Sequence, residues 1–224
     1  MYNNQKPFII SILNQKGGVG KTTTSINLAR AFQLLGLTVT YIDTDAQGSA
    51  RTWKLVNEGN FFPILAIDRP NIHDSLGTIS CDVIIVDGSP SVEKISASAI
   101  TASDLVIIPV QPSALDIWAS NPLVDMVKQR IEITDGKLKV AFLASRVNPS
   151  TNIGKNITKI LEGFELPVLD TVINQSIDYA NALEEGLSIF EYCRSNSNNY
   201  KNSFKLAEEI INKFFPEHLK VETA

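Results

Sequence analysis

Three glycines and two lysines stand within ten residues of this chain, in Asn14-Gln15-Lys16-Gly17-Gly18-Val19-Gly20-Lys21-Thr22-Thr23. An apolar run, Phe8 to Leu13, precedes them, and a helical pattern opens at Thr22. Strand, glycine-rich turn and helix in that order form a phosphate-binding loop. The glycines let backbone N–H groups turn inward without Cβ clashes. Those amides and the following helix N-terminus make a concavity for an anion. Lys21 would reach the terminal phosphates as a point charge, and the Thr22 hydroxyl would ligate Mg²⁺.

Three acidic residues at two further strand ends have matching chemistry. Asp43 and Asp45 leave a strand end at i and i+2, in Tyr41-Ile42-Asp43-Thr44-Asp45-Ala46-Gln47. Asp87 ends the buried strand Val83-Ile84-Ile85-Val86 and can hold Mg²⁺ through water.

These elements must be positioned by a sheet. Strands are expected at Phe8–Leu13, Thr38–Asp43, Pro63–Asp68, Val83–Asp87, Leu105–Val110, Lys139–Ser145 and, briefly, Leu166–Leu169. Helices are expected at Thr22–Leu35, Ser49–Glu58, Ile72–Ile79, Ser91–Ala102, Ala114–Ile131, Asn152–Glu162, Ile177–Glu185 and Asn199–Phe215. Asn121-Pro122 would kink or break the long one, and Pro216 stops the last. The alternation predicts an α/β fold: a doubly wound, mostly parallel sheet with helices on both faces, as one domain over 1–224. Ligands of such sheets bind at the carboxyl ends of the strands, where the glycine loop, Asp43, Asp45 and Asp87 all lie.

Composition agrees. The 224 residues are 44% hydrophobic and 20% charged, which suits one packed domain. Two distant cysteines, Cys81 and Cys193, exclude a disulfide framework or a thiolate metal site. No apolar run approaches the roughly 18–20 residues of a membrane span. Net charge is −4 and uneven, since residues 128–159 carry 7 basic and 2 acidic side chains. That block can form part of an electropositive face or simply a solvated helix surface.

The glycine loop departs from the standard G-x-x-x-x-G-K-S/T pattern, with Gln15 in place of the first glycine and a lysine, Lys16, after it. In this form it resembles the deviant Walker A loop of the ParA/MinD class of P-loop ATPases. The resemblance covers nearly the whole chain and is strongest to the small ParA-type plasmid partition ATPases. It implies ATP and Mg²⁺ as cofactors, with Lys16, Gly17, Gly18, Val19, Gly20, Lys21, Thr22 and Thr23 on the nucleotide. Lys16 would act across a dimer, Asp45 would orient the attacking water, and Thr22, Asp43 and Asp87 would hold the metal. The segment Ile107-Ile108-Pro109-Val110-Gln111-Pro112 resembles one near the base and dimer interface. Gly88 departs from the family's pattern after the Walker B acid. Arg146 ends a strand on the side where the family holds adenine; for its guanidinium the base, DNA and plain solvation all stay open.

By that resemblance the chain is expected to be a cytoplasmic, nucleoid-associated ATPase. It would bind non-specific DNA as an ATP-bound homodimer and answer to a small centromere-binding partition protein. The loop begins about fifteen residues into the sequence, so the N-terminal helix-turn-helix domain of the larger plasmid ParA proteins is not expected. The alternatives are a MinD-like membrane-associated ATPase, a dethiobiotin-synthetase-like ligase and a cluster-bridging iron protein. The tail from Lys213 to Ala224, with Pro216 and two glutamates, makes a poor membrane anchor, so no membrane partner is expected. The Asp43–Gln47 segment argues against the ligase, and the cysteine positions argue against the iron protein.

Overall fold

The computed structural model describes residues 6–57, 61–90 and 93–216. Six strands form one sheet: β1 (Phe8–Ile12), β2 (Val39–Asp43), β3 (Ile64–Ala66), β4 (Val83–Asp87), β5 (Leu105–Val110) and β6 (Lys139–Ala144). Their order is β3-β2-β4-β1-β5-β6, and every pairing is parallel. Register brings Asp43 level with Asp87 and Ile12 level with Asp87, so three strand ends open onto one crevice.

The central strands are buried on both faces, and side-chain alternation divides them between two cores. Ile10, Ile12, Val83, Ile85, Leu105 and Ile107 pack with α1 (Lys21–Leu34), α2 (Ser49–Val56) and the C-terminal helices. Ile9, Ile84, Val86, Val106, Ile108 and Val110 pack with the opposite layer, which contains α4 (Glu93–Ala102) and α6 (Asn121–Ile133). Phe32 on α1 is fully buried and meets Phe215 edge-on at 5.9 Å. Phe32→Ala is expected to cost about 3–5 kcal/mol of unfolding free energy through lost transfer and a cavity, readable by urea denaturation.

Several boundaries differ from expectation for local reasons. The helix expected over Ala114–Ile131 is two, α5 (Ala114–Trp118) and α6, because Pro122 in the first turn of α6 has no N–H to continue the α5 ladder. Ile72–Ile79 holds one turn, α3 (Ile72–Ser75), which tightens into a 3₁₀ turn at Leu76–Thr78. The strand expected at Leu166–Leu169 is reduced to a single bridge, Val168 to Phe142, since Pro167 offers no donor to lengthen it. After α7 (Asn152–Glu162) and α8 (Ile177–Glu184) comes an unforeseen single turn, α9 (Ile189–Tyr192). A Ser188/Glu191 capping box holds it. Ser197 then caps α10 (Asn198–Phe214) by accepting from the Tyr200 N–H. Glu58, Ser91 and the tail beyond Pro216 lie outside the described residues.

Candidate functional site

The glycine loop joins β1 to α1 at the crevice. Gly18 and Gly20 take left-handed φ angles of 79° and 92°, which turns the loop over the N-terminus of α1. The first-turn amides of α1 have no intrahelical partner by construction and face this loop. Lys21 is buried, and its Nζ donates to the Lys16 carbonyl at 2.9 Å. Burial lowers its pKa, opposed by the charges of Asp87 and Asp45. The ammonium is thus partly desolvated, and two nearby negative charges stabilise it.

Asp87 is the polar centre of the site. Its Oδ2 accepts from the Thr22 hydroxyl at 2.7 Å and its Oδ1 from the Ser25 hydroxyl at 3.2 Å. Burial pushes its pKa up to about 6, while the Thr22 hydrogen bond works against that shift. The buried Tyr41 ring, whose own pKa burial raises, lies on the β2 side of Asp87. A hydroxyl and a carboxylate in contact are the hard oxygen donors that Mg²⁺ takes beside phosphate oxygens, so the pair fits that ion.

Asp43 is placed differently from a free metal ligand. Its Oδ1 accepts from the Asp45 N–H at 3.0 Å, and its Oδ2 lies 3.3 Å from Arg51 Nε. Burial raises its pKa, offset by those two partners. Asp45 lines the cavity; its Oδ1 accepts from the Gln47 N–H at 3.0 Å. Thr44 ties the two acidic loops together, donating from its hydroxyl to the Asp87 carbonyl at 2.7 Å and accepting from the Ser89 N–H at 2.9 Å. Gly88 is the one small residue that fits there: a Cβ would lie 2.6 Å from Leu13 Cδ2 and 2.8 Å from the Ile12 carbonyl oxygen.

Lys16 stands outside this cluster. Its half-exposed Nζ lies 3.8 Å from Oδ1 of Asp116, a carboxylate buried in the first turn of α5. Arg146, at the end of β6 with φ 51°, donates from Nη1 to the Gly18 carbonyl at 2.8 Å, and Ser145 donates to the Val19 carbonyl at 2.6 Å. The two residues clasp the glycine loop from the β6 side.

These residues surround a cavity of about 540 Å³, a volume suited to a nucleotide-sized ligand. Gly17, Gly18, Gly20, Lys21, Thr22, Thr23, Asp45 and Arg146 line it; Asp43 and Asp87 stand behind the wall. A wall that the sequence reading missed comes from Ile173 to Ala180 at the start of α8, including Asn174, Gln175 and Tyr179. Among the described residues lining the cavity none comes from 107–112; instead, Pro109 accepts from Asn14 Nδ2 at 2.9 Å beneath the loop. Ser25 was also missed, though its spacing three residues past Thr22 places both on one helix face.

Residues 10–189 match the family described as CobQ/CobB/MinD/ParA nucleotide binding domain. The chain belongs to this family. Over 196 residues it is 32% identical to "Maintenance of carboxysome distribution protein A" of Halothiobacillus neapolitanus, spanning 84% of this chain and 89% of that one. Two solved structures share the fold. One is a Cyanothece McdA–ATP complex, with TM-score 0.74 and 17% identity over 93% of this chain and 98% of that one. The other is a putative plasmid partition protein of Borrelia burgdorferi bound to AMPPNP, with TM-score 0.72 and 21% identity over 93% of this chain and all of that one. The fold and family expected from the deviant loop are thus established. Among the described residues no helix is long and apolar enough to cross a membrane.

Proposed function

We propose that this chain is a Mg²⁺-dependent ATPase of ParA type, which moves or spaces a cargo by binding DNA as an ATP-dependent homodimer. The observation that carries this reading is the meeting of Lys21, the Thr22–Asp87 pair and Asp45 at the carboxyl ends of β1, β2 and β4. Lys21 and the α1 amides hold the phosphates of ATP. Thr22 and Asp87 hold Mg²⁺, which neutralises phosphate charge when bound, and Asp43 supports Asp45 from behind. Asp45 orients the attacking water, and hydrolysis gives ADP and phosphate. The Ile173–Ala180 wall and Arg146 enclose the base. Lys16, whose ammonium stands clear of the Lys21 cluster, serves the nucleotide of a second chain.

The proposed cargo is a plasmid or chromosome, linked through a small centromere-binding partner. A second reading, in which the cargo is a protein body, is favoured by the 32% identity to a carboxysome distribution protein. Both readings need the same DNA-bound dimer and differ in the partner, so pull-down of the separately expressed neighbouring gene product on centromeric DNA distinguishes them.

DNA binding is expected to require ATP, to ignore sequence and to weaken with salt. The basic surface of a monomer is small: Lys128 pairs with Glu165, whereas Lys155 and Lys159 stand exposed one turn apart on α7. A dimer doubles that surface, and log K falls by about 0.9 per phosphate neutralised for each decade of salt. Lys155→Glu with Lys159→Glu should flatten the salt slope while ATP affinity holds. Arg146 is unsuitable for that test because it grips the glycine loop. The measurement is anisotropy of a labelled duplex across a salt series with ATP, with ADP and without nucleotide. Equal binding in all three states, or none in any, overturns the mechanism.

A further inference from the structure

Arg51, on the first turns of α2, points back beneath the loop that carries Asp45. Its Nη2 donates to the carbonyl of Asp45 at 2.9 Å and to that of Ala46 at 3.2 Å, and its Nε lies 3.3 Å from Asp43 Oδ2. One planar guanidinium thus ties the end of β2 to the two peptide groups around the cavity carboxylate. The loop closes onto it: the Gly48 N–H donates to the Asp45 carbonyl at 2.9 Å, and the Asp45 N–H to Asp43 Oδ1 at 3.0 Å. Gly48 takes φ 67°, and a Cβ there would sit 2.8 Å from Arg51 Nε and Nη2. Arg51 does not line the cavity, although Asp45 before it and Ser49 on its own helix do.

We propose that Arg51 is the positioning residue for Asp45: it holds the loop of residues 44–48 so that the carboxylate stands over the phosphate cradle, and it does not touch nucleotide. The inference rests on the role given to Asp45 above. The physical case is the fork geometry of the guanidinium. Its rigid, coplanar donors satisfy two carbonyls and a carboxylate at once, and an ammonium cannot match that arrangement. Holding those carbonyls also orders a loop whose Ala46 and Gln47 are exposed. A buried Asp43 stripped of Arg51 loses its charged partner, so the two residues act as one support.

The experiment compares wild type, Arg51→Ala, Arg51→Lys, Asp45→Ala and the Arg51→Ala/Asp45→Ala double variant. Steady-state ATP turnover and fluorescent-nucleotide titration are measured for each. Arg51→Ala should lower kcat by about 100-fold, as expected for displacement of a catalytic group by roughly an ångström. Nucleotide affinity should stay within a factor of about two, because the binding groups are elsewhere. Arg51→Lys should recover part of the loss. In the Asp45→Ala background Arg51→Ala should have no further effect. Hydrogen exchange on the same proteins should show loss of protection at the residue 45 and Gly48 amides in Arg51→Ala and in the double variant, and not in Asp45→Ala. If Arg51→Ala does not fold, Arg51→Met, which keeps the length of the side chain and loses the charged fork, takes its place with the same expected outcome. Unchanged kcat, unchanged protection at those amides, or an equal loss in the Asp45→Ala background overturns the proposal. A wild-type chain that turns over no ATP overturns the role of Asp45 instead, and amide protection then decides whether Arg51 positions the loop.

Discussion

Lys21→Ala weakens ATP binding by roughly 30- to 4,000-fold. That range follows from a loss of about 2–5 kcal/mol for removing one partner of a desolvated charge contact, at about 1.4 kcal/mol per tenfold. The size of the effect comes from the surroundings of Lys21. Its side chain is buried, donates to the Lys16 carbonyl at 2.9 Å and feels the negative charges of Asp87 and Asp45. Without it, Asp45 on the cavity wall and Asp87 behind that wall repel the triphosphate with no lysine in the cluster to offset them. Lys16 cannot substitute, because its Nζ is drawn toward Asp116 on α5. Fluorescent-nucleotide titration reads the change, and circular dichroism shows whether the fold is kept. Near-wild-type affinity in a folded variant removes this loop from the nucleotide site.

Asp45→Ala separates binding from turnover. The variant keeps Lys21, the α1 amides and the Thr22–Asp87 pair, so it binds ATP and dimerises. Its hydrolysis falls by about 10²–10⁴-fold, the usual contribution of a positioned acid–base group. On the proposed mechanism a dimer that cannot hydrolyse ATP stays on DNA, so dissociation from a labelled duplex after dilution into ADP is expected to become slow. Phosphate release in single turnover measures the first effect, and anisotropy decay the second. Asp45→Asn keeps the Gln47 N–H contact through its amide oxygen and isolates the lost charge. Wild-type turnover in both variants makes Asp45 a loop-forming residue and nothing more.

The architecture and the phosphate end of this site were legible in the chain because they depend on local rules. Buried parallel strands read as apolar runs such as Val83–Val86, and β1, β2 and β4 are tipped by the glycine loop or an acid. A strand followed by Gly17-Gly18-Val19-Gly20-Lys21-Thr22 can turn in few ways. Parallel winding then gathers strand ends on one side, so the glycine loop, Asp43, Asp45 and Asp87 are expected to converge on one site. What decided the rest was distance in the chain. Arg146 reaches Gly18 across 128 positions, and the wall from Ile173 to Ala180 meets the glycine loop from the other end of the fold. No local pattern marks those residues, because a backbone bend beside a cavity takes its meaning from the element opposite. Asp43 and Arg51 lie only eight positions apart, yet their pairing depends on how the loop folds back over α2. The spacing of Asp43 and Asp45 announced two carboxylates at one strand end. Only the tertiary structure assigned one to the cavity wall and turned the other inward against a guanidinium, because a buried carboxylate needs a charged or hydrogen-bonding partner and Arg51 was the group within reach.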